Sequence, residues 1–167
     1  MTKPQFFSYP KYGEVIGDLF HYSQSARVGD RIEISGQGTC RDALVSRSRK
    51  SAANTMCSGG WDPISGGLRA DPMEEADQAF ENVQLALTDA GGKGWSQVYS
   101  VKVYVLEKHW NDQPFIGRLV ENLKKWAPHK PLLSIIGVTN LGSGPVAGMR
   151  VEIEVVAHDP EGARSKA

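Results

Sequence analysis

Met149-Arg150-Val151-Glu152-Ile153-Glu154-Val155-Val156-Ala157 alternates charged and apolar side chains. Successive side chains of an extended strand point to opposite sides. The spacing therefore predicts a half-buried β-strand, with Val151, Ile153 and Val155 inward and Arg150, Glu152 and Glu154 together on the other face. Charged groups sharing a strand face are either solvated or held at the wall of a cleft, and what lies beside the strand decides between the two.

Working back from this strand, Gly142-Ser143-Gly144-Pro145 reads as a loop and Leu132 to Thr139 as another strand. Before them, Asp112-Gln113-Pro114 opens a helix that runs to Trp126, with Ile116, Leu119, Leu123 and Trp126 inward and Pro128 and Pro131 closing it. Val98 to Leu106 is a strand with Val101, Val103 and Val105 on one face and Val98, Tyr104 and Leu106 on much of the other. Asp71-Pro72 starts a longer helix: an N-cap aspartate, a proline in the first turn and Glu74 near the positive end of the dipole. Ala76, Phe80, Val83, Leu87 and Ala90 form its apolar face, and Gly91-Gly92 ends it.

Nearer the N-terminus, residues 21–35 read as a β-hairpin turning at Gly29-Asp30 and ending in Ser35-Gly36-Gln37-Gly38, where glycines let the backbone approach a ligand or another chain closely. Residues 4–18, with Pro4, Pro10, Gly13 and Gly17 among aromatics, read as an irregular lead-in. Residues 39–58 have no apolar period and carry Arg41, Arg47, Arg49 and Lys50, which predicts an exposed loop or a disordered segment. Gly59 to Pro63 reads as a turn anchored by Trp61, and the polar tail from Glu161 to Ala167 as frayed.

The predicted order is hairpin, helix, strand, helix, strand, strand. Two helices cover one face of such a sheet, and a strand apolar on both sides needs a second cover; a homo-oligomer supplies it.

The 167 residues suit a single domain spanning 1–167. Nineteen basic and nineteen acidic residues cancel, so the overall charge points to neither nucleic acid nor a membrane surface. No apolar run reaches the roughly 20 residues of a membrane helix, and the first ten residues carry no export signal. Cys40 and Cys57 make no disulfide framework, so a reducing, cytoplasmic setting is expected. His21, His109, His129 and His158 lack ligand spacing, so no metal site is expected.

Tyr22-Ser23-Gln24, Val28-Gly29-Asp30, Ile34-Ser35-Gly36-Gln37, Ala79-Phe80-Glu81-Asn82-Val83, Asp89-Ala90-Gly91-Gly92, Val101-Lys102-Val103-Tyr104-Val105 and Val151 to Ala157 occur in an order that resembles the Rid/YjgF family of reactive-intermediate deaminases. The resemblance covers about residues 19–38 and 59–158. It implies an α+β, chorismate-mutase-like fold: a mixed sheet with two helices on one face, assembled as a homotrimer. It also implies a small-molecule cleft between subunits and hydrolysis of an imine or enamine without metal or cofactor.

The family's roles map onto Glu152 for positioning water, with Tyr22 and Ser35 as cleft residues. Gly36, Leu133 and Ser134 are placed around the substrate; Arg150, on the Glu152 face by alternation, either offers the substrate a cation from a different wall or is solvated or paired with Glu152 or Glu154. Phe20-His21 stands where the family usually has Gly-Pro. The family's carboxylate-binding arginine is replaced by Leu133, and leucine cannot pair with a carboxylate as a planar guanidinium does. A non-standard substrate is therefore expected. The alternatives are a non-catalytic trimeric binding or chaperone-like module, and an endoribonuclease, against which the neutral overall charge argues. Residues 39–58 are an insertion relative to the family, so a structurally dispensable segment, or a retained intron in a eukaryotic source, is expected.

Overall fold

The computed structural model describes residues 3–37, 71–141 and 148–164. The predicted insertion at 39–58, both cysteines, the Trp61 turn and the Gly142–Pro145 loop lie outside the described residues. In chain order the described elements are β1 (Gln5–Phe7), α1 (Tyr12–Phe20), β2 (Ser25–Val28), β3 (Arg31–Gln37), α2 (Pro72–Asp89), β4 (Val98–Leu106), α3 (Gln113–Trp126), β5 (Leu132–Val138), β6 (Val151–His158) and α4 (Pro160–Arg164). The strands form one six-stranded sheet in the order β1-β2-β3-β6-β4-β5. Only β4 and β5 pair in parallel, and the intervening α3 is the crossover such a pair requires.

The alternation that predicted β6 holds. Val151, Ile153, Val155 and Ala157 are buried, while Glu152 and Glu154 lie on the opposite face. α2 packs across β3 and β6 and against α3. It buries the predicted stripe of Ala76, Phe80, Val83 and Leu87. Its N-cap forms as expected, with Asp71 accepting a hydrogen bond from the Met73 amide at 2.8 Å, a contact worth about 1 kcal/mol. Phe80 stacks on Trp95 at 4.9 Å between centroids, and the Trp95 indole donates to the Phe80 carbonyl at 3.0 Å. α3 buries Phe115 and Leu119 fully; the predicted Ile116, Leu123 and Trp126 pack partly buried against the same core.

Four expectations need correcting. The lead-in is not irregular: it forms β1 and α1, and α1 sends Tyr12 and Ile16 into the core. Gly13, which reads as a breaker, permits close packing, since a Cβ there would lie 2.6 Å from the Tyr9 ring. The hairpin consequently starts at Ser25, because His21 caps α1 in the left-handed conformation (φ 54°). Second, Val98 does not face outward. A register shift between Val98 and Ser100 sets Val98 opposite Ala157, on the core side. The uncovered face of β4 is therefore Ser100, Lys102, Tyr104 and Leu106, more polar than expected. The exposed apolar surface sits on β5 instead, where Leu132 is 71% and Ile136 36% exposed.

Third, the tail does not fray from Glu161. Residues 160–164 are helical, and Glu161 pairs with Lys93. A buried network explains why. Asp159 accepts from the Arg27 guanidinium at 2.6 Å, from Gln97 at 2.8 Å and from the Gly162 amide at 3.1 Å. Burial alone would raise the Asp159 pKa; these donors and the Arg27 charge outweigh it and hold the carboxyl below its usual range. Fourth, Arg150 precedes β6 rather than sharing the Glu152 face. Its guanidinium pairs at 2.5 Å with Glu75 of α2, which is fully buried, and its amide donates to the same carboxylate at 2.7 Å.

Among the described residues no helix is long and apolar enough to cross a membrane, and no group of three or more potential metal ligands occurs.

Candidate functional site

The site is built where β3 breaks step with β6. Ile34 pairs with Val155 and Gln37 with Ile153, so Ser35 and Gly36 occupy a bulge between them. Bulges re-aim side chains and let a neighbour approach the backbone. Here the Glu152 side chain closes over Gly36, and a methyl group at position 36 would overlap its carboxylate. Glu152 is half-buried, and no hydrogen bond or ion pair reaches its carboxylate from the described residues. Burial, then the neighbouring Glu154 charge, pushes its pKa up. Glu154 is held differently: it accepts from the Tyr104 phenol at 3.2 Å and from Lys102 at 3.3 Å. One carboxylate is thus anchored, and the other stands half out of water with its charge unbalanced.

Tyr22 and Ser35 line a single cavity of about 830 Å³, together with Glu154, Glu33 and His21. Ser35 donates to the Ser23 carbonyl at 2.6 Å, which ties the bulge to the segment entering β2. Tyr22 is held by a relay of buried side chains. The Tyr9 hydroxyl donates to Gln37 at 3.2 Å, Gln37 donates to Gln24 at 2.9 Å, and Gln24 donates to the Tyr22 hydroxyl at 2.8 Å. Gln24 and Gln37 are fully buried. Sequence reasoning places both in motifs but assigns them no role. Two glutamines at core positions of a hairpin are the signal available, since buried amides have to be paired.

The predicted residues thus fall into three places. Tyr22 and Ser35 share the cavity, and Gly36 lies against Glu152 one step along the same bulge. Glu154, not Glu152, borders the cavity itself. Leu133 and Ser134 are on β5, opposite Val101 and Lys102 respectively, so Leu133 faces the helix side and Ser134 the uncovered side. Leu133, 43% exposed, and Glu152 therefore sit on opposite faces of the sheet, with β4 between their strands. Arg150 is committed to Glu75.

The chain resembles solved structures over most of its length. RidA from an Antarctic Psychrobacter is 25% identical, with a TM-score of 0.60, and the match covers 82% of this chain and 87% of that one. The YjgF gene product of E. coli is 23% identical with a TM-score of 0.60, again over 82% and 87%. E. coli TdcF, solved with bound serine, is 21% identical with a TM-score of 0.59 over the same shares. No curated protein sequence matches the chain significantly. The sequence model of the endoribonuclease L-PSP family matches residues 15–159. The bulge and both glutamates thus lie within the matched span, and the chain belongs to the endoribonuclease L-PSP family, the family of YjgF and RidA.

Proposed function

We propose that the protein is a Rid-type hydrolase that converts a reactive imine or enamine to a carbonyl compound and ammonia. An enamine first takes up a proton at carbon to give its imine tautomer; Glu152 then orients and partly deprotonates a water molecule, which adds to the C=N carbon. The C–N bond of the resulting carbinolamine then breaks, and nitrogen leaves as ammonia. Tyr22 and Ser35 hold the substrate beside the bulge, and Gly36 allows the close approach. The observation that carries this reading is the half-buried Glu152, which has no partner among the described residues and a raised pKa beside the Tyr22–Ser35 cavity. A general base of this kind contributes about 10²–10⁴ in rate. Leu133 and Glu152 occupy opposite faces, so a cleft that includes both needs two copies of the chain. Exposed Leu132 and Ile136 supply apolar surface for such a homotrimer.

Leu133 favours a second reading, a trimeric binding module that kept the cleft without the chemistry. Ammonia release from enzymatically generated imines separates the two. Loss of activity in Glu152→Gln supports the hydrolase. A silent wild type that gains activity in Leu133→Arg supports the binding module. RNA cleavage fits poorly, because the cavity wall carries Glu14, Asp18, Glu33 and Glu154 and would repel a polyanion.

A further inference from the structure

Resting on the imine-hydrolysing reading, we propose that Gln24 is a positioning residue for the reaction: backed by Gln37 and Tyr9, it fixes the Tyr22 hydroxyl as a hydrogen-bond donor to the substrate nitrogen.

The direction of the relay carries this assignment. The Ser35 carbonyl, which can only accept, takes a hydrogen bond from Gln37 Nε2 at 3.0 Å. That contact decides which end of the Gln37 amide is which. Nε2 faces Ser35 and Gln24, and Oε1 faces Tyr9, whose hydroxyl donates to it at 3.2 Å. Gln37 Nε2 also donates to Gln24 Oε1 at 2.9 Å, so the Gln24 amide is fixed in turn, and its Nε2 is the atom that donates to the Tyr22 hydroxyl at 2.8 Å. Turning the Gln37 amide round would set its oxygen against the Ser35 carbonyl. Turning Gln24 alone would set two donors against each other. Gln24 thus occupies a lone pair of the phenol oxygen, and the phenol proton has to go to a different partner.

The surroundings of the relay agree. Tyr9, Gln24 and Gln37 are fully buried, while Tyr22 is half-buried and lines the cavity. Gln24 therefore reaches the hydroxyl from the core. Ser35 has the complementary polarity: its hydroxyl donates to the Ser23 carbonyl at 2.6 Å, so toward a ligand it acts through its lone pairs. The Ser35 amide donates to the Gln24 carbonyl at 3.0 Å, which ties the Tyr22–Gln24 segment to the bulge a further time. Gly36, between Ser35 and Gln37, is the residue against Glu152. One bulge thus sets both the carboxylate that handles water and, through the two glutamines, the hydroxyl that meets nitrogen. Packing alone does not call for amides here, since apolar partners of the same shape fill a core at little cost. A satisfied polar chain holds its last member in one orientation.

As water adds to the C=N carbon, the π pair moves onto nitrogen and charge builds there. A donor held in place beforehand stabilises that charge more than it stabilises the bound imine. Tyr22 contributes a hydrogen bond and keeps its proton. The proton that Glu152 takes from water is the one that ends on nitrogen, so the balance of water, carbinolamine and ammonia is unchanged.

The test is a double-variant cycle, read on imines generated in situ from leucine by an amino-acid oxidase and from pentylamine by a flavin amine oxidase. Rates are taken above spontaneous ammonia release, and thermal melts check folding. Tyr22→Phe should lower kcat by about 10²-fold, the scale of one preorganised donor, and Gln24→Met, which keeps the volume, by about tenfold. KM should stay within about twofold in both. The double variant should be within about twofold of Tyr22→Phe, because Gln24 acts through a hydroxyl that is no longer there. Losses that multiply, or a fall in stability without a fall in kcat, overturn the positioning role and leave the hydrolase reading intact. A second readout needs no turnover and only Tyr22→Phe, so it stands even where Gln24→Met does not fold. In ¹⁵N-edited NMR, a Gln24 side-chain N–H resonance should move upfield in Tyr22→Phe as it loses its acceptor. An unmoved resonance overturns the assignment whatever the rates. An upfield shift in a protein that hydrolyses neither imine upholds the orientation of the hydroxyl and overturns the hydrolase reading, and with it the role at nitrogen.

Discussion

Replacing Gly36 with alanine tests the geometry of the site at its tightest point. The added Cβ would lie 2.7 Å from Cγ of Glu152 and would overlap the carboxylate itself. Carbon atoms in contact rest at about 3.5–4.0 Å, so the glutamate stem has to withdraw by roughly 1 Å. Misplacing a reacting group by about 1 Å costs on the order of 10²-fold in rate. The fold should tolerate the change. Gly→Ala restricts the unfolded chain and stabilises by about 0.4–1 kcal/mol, which offsets part of the cost of moving Glu152. The expected result is therefore a loss of about 10²-fold in kcat/KM for imine hydrolysis with a melting temperature within about 5 °C of wild type. A second readout does not depend on turnover. Burial, then the Glu154 charge, holds the Glu152 carboxyl above its ordinary pKa. Once pushed off Gly36 toward solvent, it should titrate nearer the ordinary value by NMR with ¹³C-labelled glutamate. Wild-type turnover together with an unchanged Glu152 titration in Gly36→Ala would refute the claim that this contact positions the carboxylate.

The raised Glu152 pKa also sets the pH dependence of stability. Its proton-linked contribution is fully present below the unfolded glutamate pKa of about 4.3 and is lost as pH rises through the higher folded value. Glu152→Gln should accordingly be more stable than wild type near pH 7 in urea titrations, with the advantage vanishing near pH 4. Asp159 has the opposite sign: its contribution is present above the unfolded aspartate pKa of about 3.9 and is lost as pH falls through the lower folded value. Asp159→Ala leaves Arg27 as a buried charge without its carboxylate and should cost about 3–5 kcal/mol in urea titrations at pH 7; a cost under about 1 kcal/mol would mean that the pair is not buried in solution. Arg150→Ala removes the guanidinium from buried Glu75 and should destabilise by about 3 kcal/mol while leaving KM for the imine within about twofold. The reverse pattern would return Arg150 to substrate binding. In mixed oligomers of wild type with the double variant Leu133→Arg/Glu152→Gln, the introduced guanidinium and an intact Glu152 meet only across chains. Activity on a carboxylate-bearing imine above that of either parent is expected, and its absence in verified mixed oligomers counts against an inter-subunit cleft.

The elements legible in the sequence are those whose side-chain period matches their backbone period. β6 alternates cleanly, and α2 repeats at helical steps between an aspartate cap and a glycine pair, so both emerge with their buried faces correct. α1 is hidden because Gly13 and Gly17 normally punctuate turns. Here Gly13 is small so that the Tyr9 ring can lie on the helix, a contact that leaves no mark in the apolar period. Val98 is read onto the wrong face because strict alternation cannot anticipate the register shift at Tyr99. Arg150 is misplaced for a related reason: its partner lies 75 residues away near the start of α2, where an acidic residue reads equally well as a solvated dipole charge.

The candidate site divides along the same line. Glu152 is identifiable because alternation alone sets it beside Glu154 and away from the core. What makes it more than a surface charge is non-local: the bulge at Ser35-Gly36 brings a bare backbone against it, while Tyr104 and Lys102 from β4 engage Glu154 and leave Glu152 without a donor among the described residues. The two glutamates have nearly identical sequence surroundings, and their difference arises from what the neighbouring strands place opposite each of them. Removing the donors to Glu154 should therefore alter Glu152 as well: burial is the larger cause of its raised pKa, but the second cause, the Glu154 charge, would no longer be held in place beside it.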